Sequence, residues 1–341
     1  MAGPSTDGAR APGSTAESAP ENAMVRNALR AGLLLVVITL VLVPFQSTYA
    51  VRVADSILIY VLLGIGLNIV VGYTGLLDLG FVAFYAVGAY TYALLASPQL
   101  GLHLPFLVIL PIAVILGGLA GILLGFPVLR LRGDYLAIVT LGFGEIIRVL
   151  INNADTVTNG PRGVMRIDRI DVAGFTISRP IDFYWLLLVT VAIVAVIAFR
   201  LEKSILGKGW AAIREDQDAA RGIGIDTTKA KLAAFAISAM IGSLAGVIFA
   251  AFQRFVSPES FSLQESILIV LIIVIGGVGN ILGVFVGATV LLLLPEILRD
   301  YAELRMLLLG LLMAVLIVLR PQGLVPRSFG PDRLLAALRR R

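Results

Sequence analysis

Uncharged apolar runs alternate with polar connections along most of this chain. A bilayer core of about 30 Å needs roughly 20 apolar residues of helix to cross it. Runs on that scale cover residues 31–51, 56–77, 79–129, 183–199, 232–253 and 266–295. The pattern predicts an all-α polytopic membrane protein.

Two of these runs exceed one crossing and contain breaks. Ser97-Pro98 and Pro105 divide the first, and a glycine-rich stretch from Gly276 to Asn280 divides the second. Segments 134–151 and 306–319 are shorter or carry charges, and both are counted as crossings. We therefore expect a glycine-rich bundle of about ten transmembrane helices with interrupted members. The expected spans are 31–51, 56–77, 80–97, 105–126, 134–151, 183–199, 232–253, 266–278, 281–297 and 306–319.

Basic residues orient this map. With the amino terminus inside, 18 of the 27 Lys and Arg residues fall on the cytoplasmic side. Cytoplasmic loops of membrane proteins carry an excess of Lys and Arg, so both termini are expected to be cytoplasmic. The net charge of +5 thus reflects membrane orientation, and no nucleic-acid partner is expected.

Hydrophilic segments flank and interrupt the transmembrane domain at 28–320. Residues 1–27 are rich in Ala, Gly, Pro and Ser and are expected to form a disordered cytoplasmic tail, and 321–341 a basic one. The connection 152–182 lies outside on this topology, and the connection 201–231 lies inside. In the outer one, the Asn159-Gly160-Pro161 turn and the alternation that follows predict a small hairpin-like cap.

Residues suited to catalysis are sparse. The chain has no cysteine and one histidine, His103, which is expected to be a plain loop residue beside Pro105. The chain has no Walker A pattern, so any ATP and Mg²⁺ would be bound by another protein. We expect neither an enzyme nor a cofactor or metal site in this chain.

Four charged residues lie in or near the predicted spans, and a charge at the bilayer centre is costly and usually functional. Asp78 and Asp134 lie at predicted cytoplasmic helix ends and are expected to cap helices there. Glu145 and Arg148 share a helix face at i, i+3 spacing and are expected to form a structural pair.

Glycine spacing predicts close helix packing, as at Gly117, Gly121 and Gly125. Two glycine-rich stretches instead interrupt apolar runs, and an interrupted helix frees backbone groups that can line a substrate path. The candidate path positions are Gly72, Tyr73, Thr74, Gly75, Thr140, Gly142, Glu145, Gly276, Gly277 and Asn280.

The most informative segment is the charged island, residues 207–224, which joins two uncharged spans. So much charge in one connection of a hydrophobic protein indicates that this segment meets a soluble partner in water. Within it, Asp218-Ala219-Ala220 followed by Gly224 resembles the loop by which ABC import permeases dock onto their ATPase. The island is therefore expected to be a coupling helix.

From about residue 50 onward the chain resembles the LivM-type permeases of branched-chain amino acid ABC importers. The resemblance rests on the charged island and on motifs at 72–80, 131–145, 159–161, 257–261 and 320–324. The chain departs from the pattern in its polar amino-terminal tail and in lacking a Leu-Pro after the Asp-Ala-Ala motif.

The resemblance implies a prokaryotic-type cell (inner) membrane importer with separate partner chains. These are a LivH-like permease, two ABC ATPase subunits that bind ATP and Mg²⁺, and an extracytoplasmic substrate-binding protein. The expected ATPase-coupling residues are Gly209, Ile213, Arg214, Glu215, Asp216, Asp218, Ala219, Ala220 and Gly224. The expected binding-protein contacts are Asn159, Gly160, Arg162 and Arg166.

The sequence is compatible with two other functions. Urea and short-amide permeases share these motifs, and no motif in the sequence identifies the side chain of the substrate. An ion-coupled secondary transporter would need a polar centre in mid-membrane, for which the region of Thr140 and Glu145 is the plausible place. A membrane-embedded enzyme fits least, because the apolar spans have no His/Asp/Glu cluster.

Overall fold

The computed structural model describes residues 47–128, 134–172 and 174–298, together with 307, 310, 311, 314, 318 and 323–325. Four predicted features lie wholly or mostly outside the described residues. They are the tail 1–27, the span 31–51 up to residue 46, most of the span 306–319, and the tail 321–341 apart from 323–325.

Helices make up most of the described chain. Helix α1 (Thr48–Asn68) continues into a π-helical turn, Ile69–Thr74, and is followed by α2 (Val82–Leu95), α3 (Phe106–Val128) and α4 (Asp134–Asn153). Then come α5 (Pro180–Lys203), the short α6 (Ile205–Glu215) and α7 (Gln217–Gly222), and the long α8 (Thr227–Gln253). The last described helices are α9 (Leu263–Gly276) and α10 (Ile281–Ile297). Short helical turns cover Asp155–Thr158, Gly160–Arg162 and Pro258–Phe261.

Two small antiparallel strand pairs accompany the helices. Strands β2 (Ile170–Val172) and β3 (Phe175–Ile177) form the hairpin that the alternating pattern predicts. Strand β1 (Val164–Met165) pairs with β4 (Phe255–Val256), which directly follows α8. This second pairing was not predicted, and it ties the connection 152–182 to the end of α8.

Five helical segments are long and apolar enough to cross a membrane: Thr48–Thr74, Phe106–Pro127, Tyr135–Asn153, Pro180–Lys203 and Thr227–Gln253. Helices α9 and α10, in the expected spans 266–278 and 281–297, meet this test only as a pair bent by 120°, and α2, in the expected span 80–97, is a shorter apolar helix. The described chain is thus a mostly helical, polytopic membrane protein, as the sequence predicts.

The described helices begin and end at two opposite sides of the bundle. Helix α8 begins beside the charged island, since Trp210 donates its indole N–H to the Ala230 carbonyl, and it ends at β4. Helix α2 finishes at the same end as β4, because Ala96 accepts a hydrogen bond from the backbone N–H of Asp168. At about 1.5 Å per residue, a 27-residue helix is about 40 Å long. We call the two ends the island end and the hairpin end.

Close packing around α8 depends on the predicted glycines. A Cβ atom at Gly117 would lie 2.4 Å from the Ser243 Cβ, and one at Gly121 would lie 2.6 Å from the Ala239 Cβ. Such distances are shorter than real Cβ contacts, so α3 can approach α8 this closely only with glycine. The glycine spacing in α3 therefore serves tight packing, as expected.

The segment between the π-helical turn and α2 differs from its expected position. The Asp78 carboxylate does cap a turn, because its Oδ1 accepts the Gly80 N–H at 2.9 Å. The side chain is fully buried, however, instead of lying at the membrane surface. The segment folds back into the bundle, where Leu79 donates its N–H to Thr140 Oγ1 at 3.0 Å. The side chain of Asp134, the other expected cap, lies outside the described residues.

Candidate functional site

The charged island consists of α6 and α7, and both helices begin with a side-chain cap. Ser204 Oγ accepts the Gly207 N–H, and Asp216 Oδ1 accepts the N–H groups of Asp218 and Ala219. Each cap satisfies donors that a helix start leaves free. Asp216 thereby both ends α6 and caps the start of α7.

The predicted coupling residues divide into exposed and buried members. Glu215, Asp216, Asp218, Ala219 and Gly224 are exposed, and Arg214 and Gly209 are half-buried. Ile213 and Ala220 are buried inside this chain, with Ala220 only 2% exposed. The exposed members can meet a partner directly, whereas Ile213 and Ala220 hold the island against the bundle.

Trp210, which the sequence reading did not single out, anchors the island to the bundle. Its side chain is fully buried, and its indole N–H donates to the Ala230 carbonyl at 2.7 Å. Its ring stacks on Tyr73 with centroids 6.4 Å apart and an interplanar angle of 13°. The island is thus fixed both to α8 and to the π-helical turn.

Arg214 makes the most direct link between the island and the predicted path. Its guanidinium donates to the Gly72 carbonyl, in the π-helical turn, where the usual helical pairing is altered. Its side chain also covers Gly75, where an added Cβ would lie 2.9 Å from the Arg214 Cγ. Gly75 has φ 73°, a conformation that glycine adopts without strain.

The two glycine-rich interruptions, far apart in sequence, meet in the structure. Asn68 Oδ1 accepts the Gly279 N–H at 2.9 Å, across the break between α9 and α10. A Cβ at Gly72 would lie 2.7 Å from the Gly279 Cα, so the two backbones touch. Asn280 caps α10 by accepting the Leu282 N–H. An unbroken series of contacts therefore runs from the island to the turn 277–280.

The segment 323–325 closes over the same turn. Leu324 donates its N–H to the Ile275 carbonyl at 2.7 Å, and Val325 donates to Gly276 at 2.9 Å. The Asn280 amide donates to the Val325 carbonyl. These bonds satisfy carbonyls at the end of α9, and Gly276 and Gly277 are buried beneath them.

The remaining path candidates lie partly in α4 and partly in the π-helical turn. Thr140 is fully buried, donates to the Ala137 carbonyl and accepts from Leu79. Gly142 has open space around it, and Glu145 pairs with Arg148 at 2.8 Å, as the spacing predicts. Tyr73 and Thr74 are buried, and the Thr74 hydroxyl donates to Val70 of its own helix.

The outer connection presents the predicted docking residues at the hairpin end. Asn159 adopts a left-handed conformation with φ 61° and its amide donates to the Gly163 carbonyl, while Gly160 is buried beside it. Arg162 and Arg166 are exposed. His103 lies in a loop here, as expected, and its Nδ1 is 2.5 Å from Asp168 Oδ2.

Among the described residues, no group of three or more His, Cys, Asp or Glu side chains could hold a metal ion. The sequence analysis did not single out Asn68, although a polar amide within the apolar run 56–77 indicates a hydrogen-bonding role. Tyr60 and Glu265, whose side chains are hydrogen-bonded between α1 and α9, were also missed because they are 205 residues apart in the sequence.

Comparison with known proteins gives consistent matches. Residues 49–318 match the model of the family described as branched-chain amino acid transport system / permease component. A high-affinity branched-chain amino acid transport system permease protein LivM from Salmonella typhimurium is 44% identical over 309 residues, covering 84% of this chain and 72% of the relative.

More distant relatives extend the likeness. A probable branched-chain amino acid transport permease protein LivM from Methanocaldococcus jannaschii is 25% identical over 261 residues, covering 72% of this chain and 74% of the relative. An autoinducer 2 import system permease protein LsrC from an Enterobacter species is 26% identical over 251 residues, covering 72% and 69%. No solved structure matches the chain.

Proposed function

The chain belongs to the family of branched-chain amino acid transport system permease components, and we propose that it carries branched-chain amino acids through the membrane as one subunit of an ABC importer. A soluble binding protein delivers the substrate on the outer face. Separate ATPase subunits bind ATP and Mg²⁺ on the inner face. A second, LivH-like permease completes the transmembrane part.

The observation that carries this proposal is the contact of the charged island with the π-helical turn. One face of the island is exposed and acidic, at Glu215, Asp216 and Asp218. The other face inserts Trp210 and Arg214 against Tyr73 and Gly72. Charged groups at the rim of an interface set register and partner choice, which suits docking on an ATPase.

Beyond the π-helical turn, the contacts offer a route for mechanical coupling. Gly72 touches Gly279, and Asn68 holds the Gly279 N–H, so a shift of the turn 69–74 displaces the turn 277–280. Interrupted helices supply free backbone groups at such places in transporters. ATP binding at the island would then bias the path at Gly72, Gly276, Gly277 and Asn280 between two states.

We also propose about ten crossings with both termini cytoplasmic, in keeping with the excess of basic residues on one side. The island end is then cytoplasmic, and the hairpin end is extracytoplasmic. This assignment is supported by α1 and α8, each of which extends between the island end and the hairpin end. The outer connection 152–182 would meet the binding protein through Asn159, Gly160, Arg162 and Arg166.

Reconstitution in proteoliposomes with the partner permease, both ATPases and a binding protein tests the function. Leucine uptake should require the binding protein on one side and ATP on the side of the ATPases, and urea should not be taken up. Uptake of leucine driven by an ion gradient without ATPase subunits would contradict the proposal, as would uptake of urea in place of leucine.

A further inference from the structure

A tyrosine–glutamate pair lies within the apolar bundle. Tyr60 donates its hydroxyl to Glu265 Oε2 at 2.5 Å, joining α1 to the first turn of α9. Both side chains are half-buried. The pair belongs neither to the island nor to the contacts between Gly72 and Gly279.

The pair lies beside the middle of a candidate membrane span. Tyr60 is close to the centre of the 27-residue span Thr48–Thr74. Beside Glu265, Ser266 donates its hydroxyl to the Leu79 carbonyl, in the segment that folds back into the bundle. The Phe81 ring at the end of that segment contacts Gly66 and Gly242, which are both well inside their spans.

A carboxylate at this depth is expensive. The insertion scale assigns roughly 2.5–3.5 kcal/mol to a charged residue at the centre of a membrane helix, so such residues are usually retained for function. An ionised carboxylate has about four acceptor positions, and a single phenol hydroxyl fills one of them. Glu265 therefore keeps acceptor capacity for a further donor.

A second carboxylate, Asp78, is next in sequence to Leu79, whose carbonyl accepts the Ser266 hydroxyl. The Asp78 side chain is fully buried. Its Oδ1 accepts the Gly80 N–H, whereas its Oδ2 has no hydrogen-bond partner among the described residues. A buried acceptor without a donor is costly, and a bound cationic group would satisfy it.

An aromatic surface adjoins the pair. The Tyr85 ring packs at 5.1 Å against Phe261, which is four residues before Glu265, and at 5.2 Å against Phe249. Aromatic faces attract ammonium groups and also bury aliphatic chains.

We propose that Glu265, assisted by Tyr60 and Asp78, receives the ammonium group of a zwitterionic amino acid halfway through the membrane. The cluster of Tyr85, Phe249 and Phe261 then supplies apolar surface for the aliphatic side chain. This inference rests on the proposed function and names the chemistry of its path. It explains why two carboxylates are kept at a depth where each is costly.

Glu265→Gln and Tyr60→Phe test the site in the reconstituted complex. Glu265→Gln should lower leucine uptake per ATP hydrolysed by about tenfold, since a hydrogen bond to a charged group is lost. ATP hydrolysis stimulated by the binding protein should persist. The matched control is Glu296→Gln, because Glu296 also accepts a tyrosine hydroxyl, from Tyr49, at the hairpin end. This control should transport like the parent.

A labelling experiment reads substrate occupancy directly. In this cysteine-free chain, Gln264→Cys places one exposed thiol beside Glu265. Leucine should slow its reaction with a maleimide in the full complex, and the keto acid of leucine, which lacks the ammonium group, should not. Adding Glu265→Gln should abolish the protection.

Three outcomes separate the possibilities. If the parent complex does not import leucine, the proposed function itself fails. If the parent imports leucine and Glu265→Gln keeps its coupling ratio and its protection by leucine, the site is overturned while the function stands. If Glu265→Gln loses the partner permease during purification and Glu296→Gln does not, Glu265 is an assembly contact, which also overturns the site.

Discussion

At the scale of single residues, Trp210 shows how a membrane bundle holds a water-exposed helix. The residue satisfies two needs at once, since its ring buries apolar surface against Tyr73 and its N–H reaches the Ala230 carbonyl. A buried indole N–H usually needs such a partner. Its neighbours on the other side of α6 remain free to meet water or another chain.

Trp210→Phe should destabilise the protein by about 1 kcal/mol. An aromatic ring is kept, but the Ala230 carbonyl no longer accepts the indole N–H. Thermal unfolding in detergent measures the change. The control is Trp185→Phe, since Trp185 is 53% exposed and is the other of the two tryptophans in the chain. Equal melting of the two variants would contradict the anchoring role.

At the scale of elements, the π-helical turn is where three parts of the molecule meet. Arg214 binds its Gly72 carbonyl, Trp210 stacks on its Tyr73, and Asn68 just before it holds Gly279. A π-helical turn widens the helix by one residue and often occurs at functional positions. The turn is therefore the element best placed to pass movement from the island to the path.

Gly72→Ala should impair transport strongly, because the new Cβ would lie 2.3 Å from Asn68 Oδ1 and 2.7 Å from the Gly279 Cα. Backbone at Gly279 cannot yield as a flexible side chain can. Uptake in proteoliposomes at matched protein levels measures the effect. Gly310→Ala is the control, since nothing lies within 4 Å of a Cβ there. Parent-like uptake by Gly72→Ala would show that the close contact is not needed.

The elements also show what the sequence can predict. The spans 183–199 and 232–253 lie within observed helices, and the span 105–126 does so from residue 106, because bilayer thickness fixes the length of an apolar run. Hydrogen-bonding turns at Asn159 and the hairpin of β2 and β3 follow from local residue preferences.

Contacts between distant segments could not be predicted. Asn68 and Gly279 are 211 residues apart, and no local pattern says that they touch. The inward fold of Asp78 was missed for the same reason, since it depends on Thr140 and Ser266 from other helices. The burial of Ala220 likewise depends on how the whole island packs onto the bundle.

At the scale of the whole molecule, the island and the hairpin lie at opposite ends of the described helices. A permease driven by ATP on one side and supplied by a binding protein on the other needs this arrangement. Effects at each face can then bias the same two-state bundle. The coupling contacts and the proposed ammonium site lie between the two faces.

Single cysteines test the orientation. Asp218→Cys on the island should react with an impermeant maleimide only from the cytoplasmic side. Met165→Cys, at a position that is 60% exposed, should react only from the outside. Labelling of right-side-out and inverted vesicles distinguishes the two. Reaction of both cysteines from the same side would contradict the proposed topology.

The central claim is that ATP acts on the path through Arg214 and the π-helical turn. It is tested most directly by the maleimide reaction rate of Val278→Cys, in the turn between α9 and α10, in the reconstituted complex with and without bound ATP. We expect the rate to depend on ATP in the parent background and to lose that dependence when Arg214→Ala is added, while Lys208→Ala, an exposed change on the same helix, preserves it. A maleimide reaction rate that does not depend on ATP in the parent, or that still depends on ATP when Arg214→Ala is added, would contradict the account.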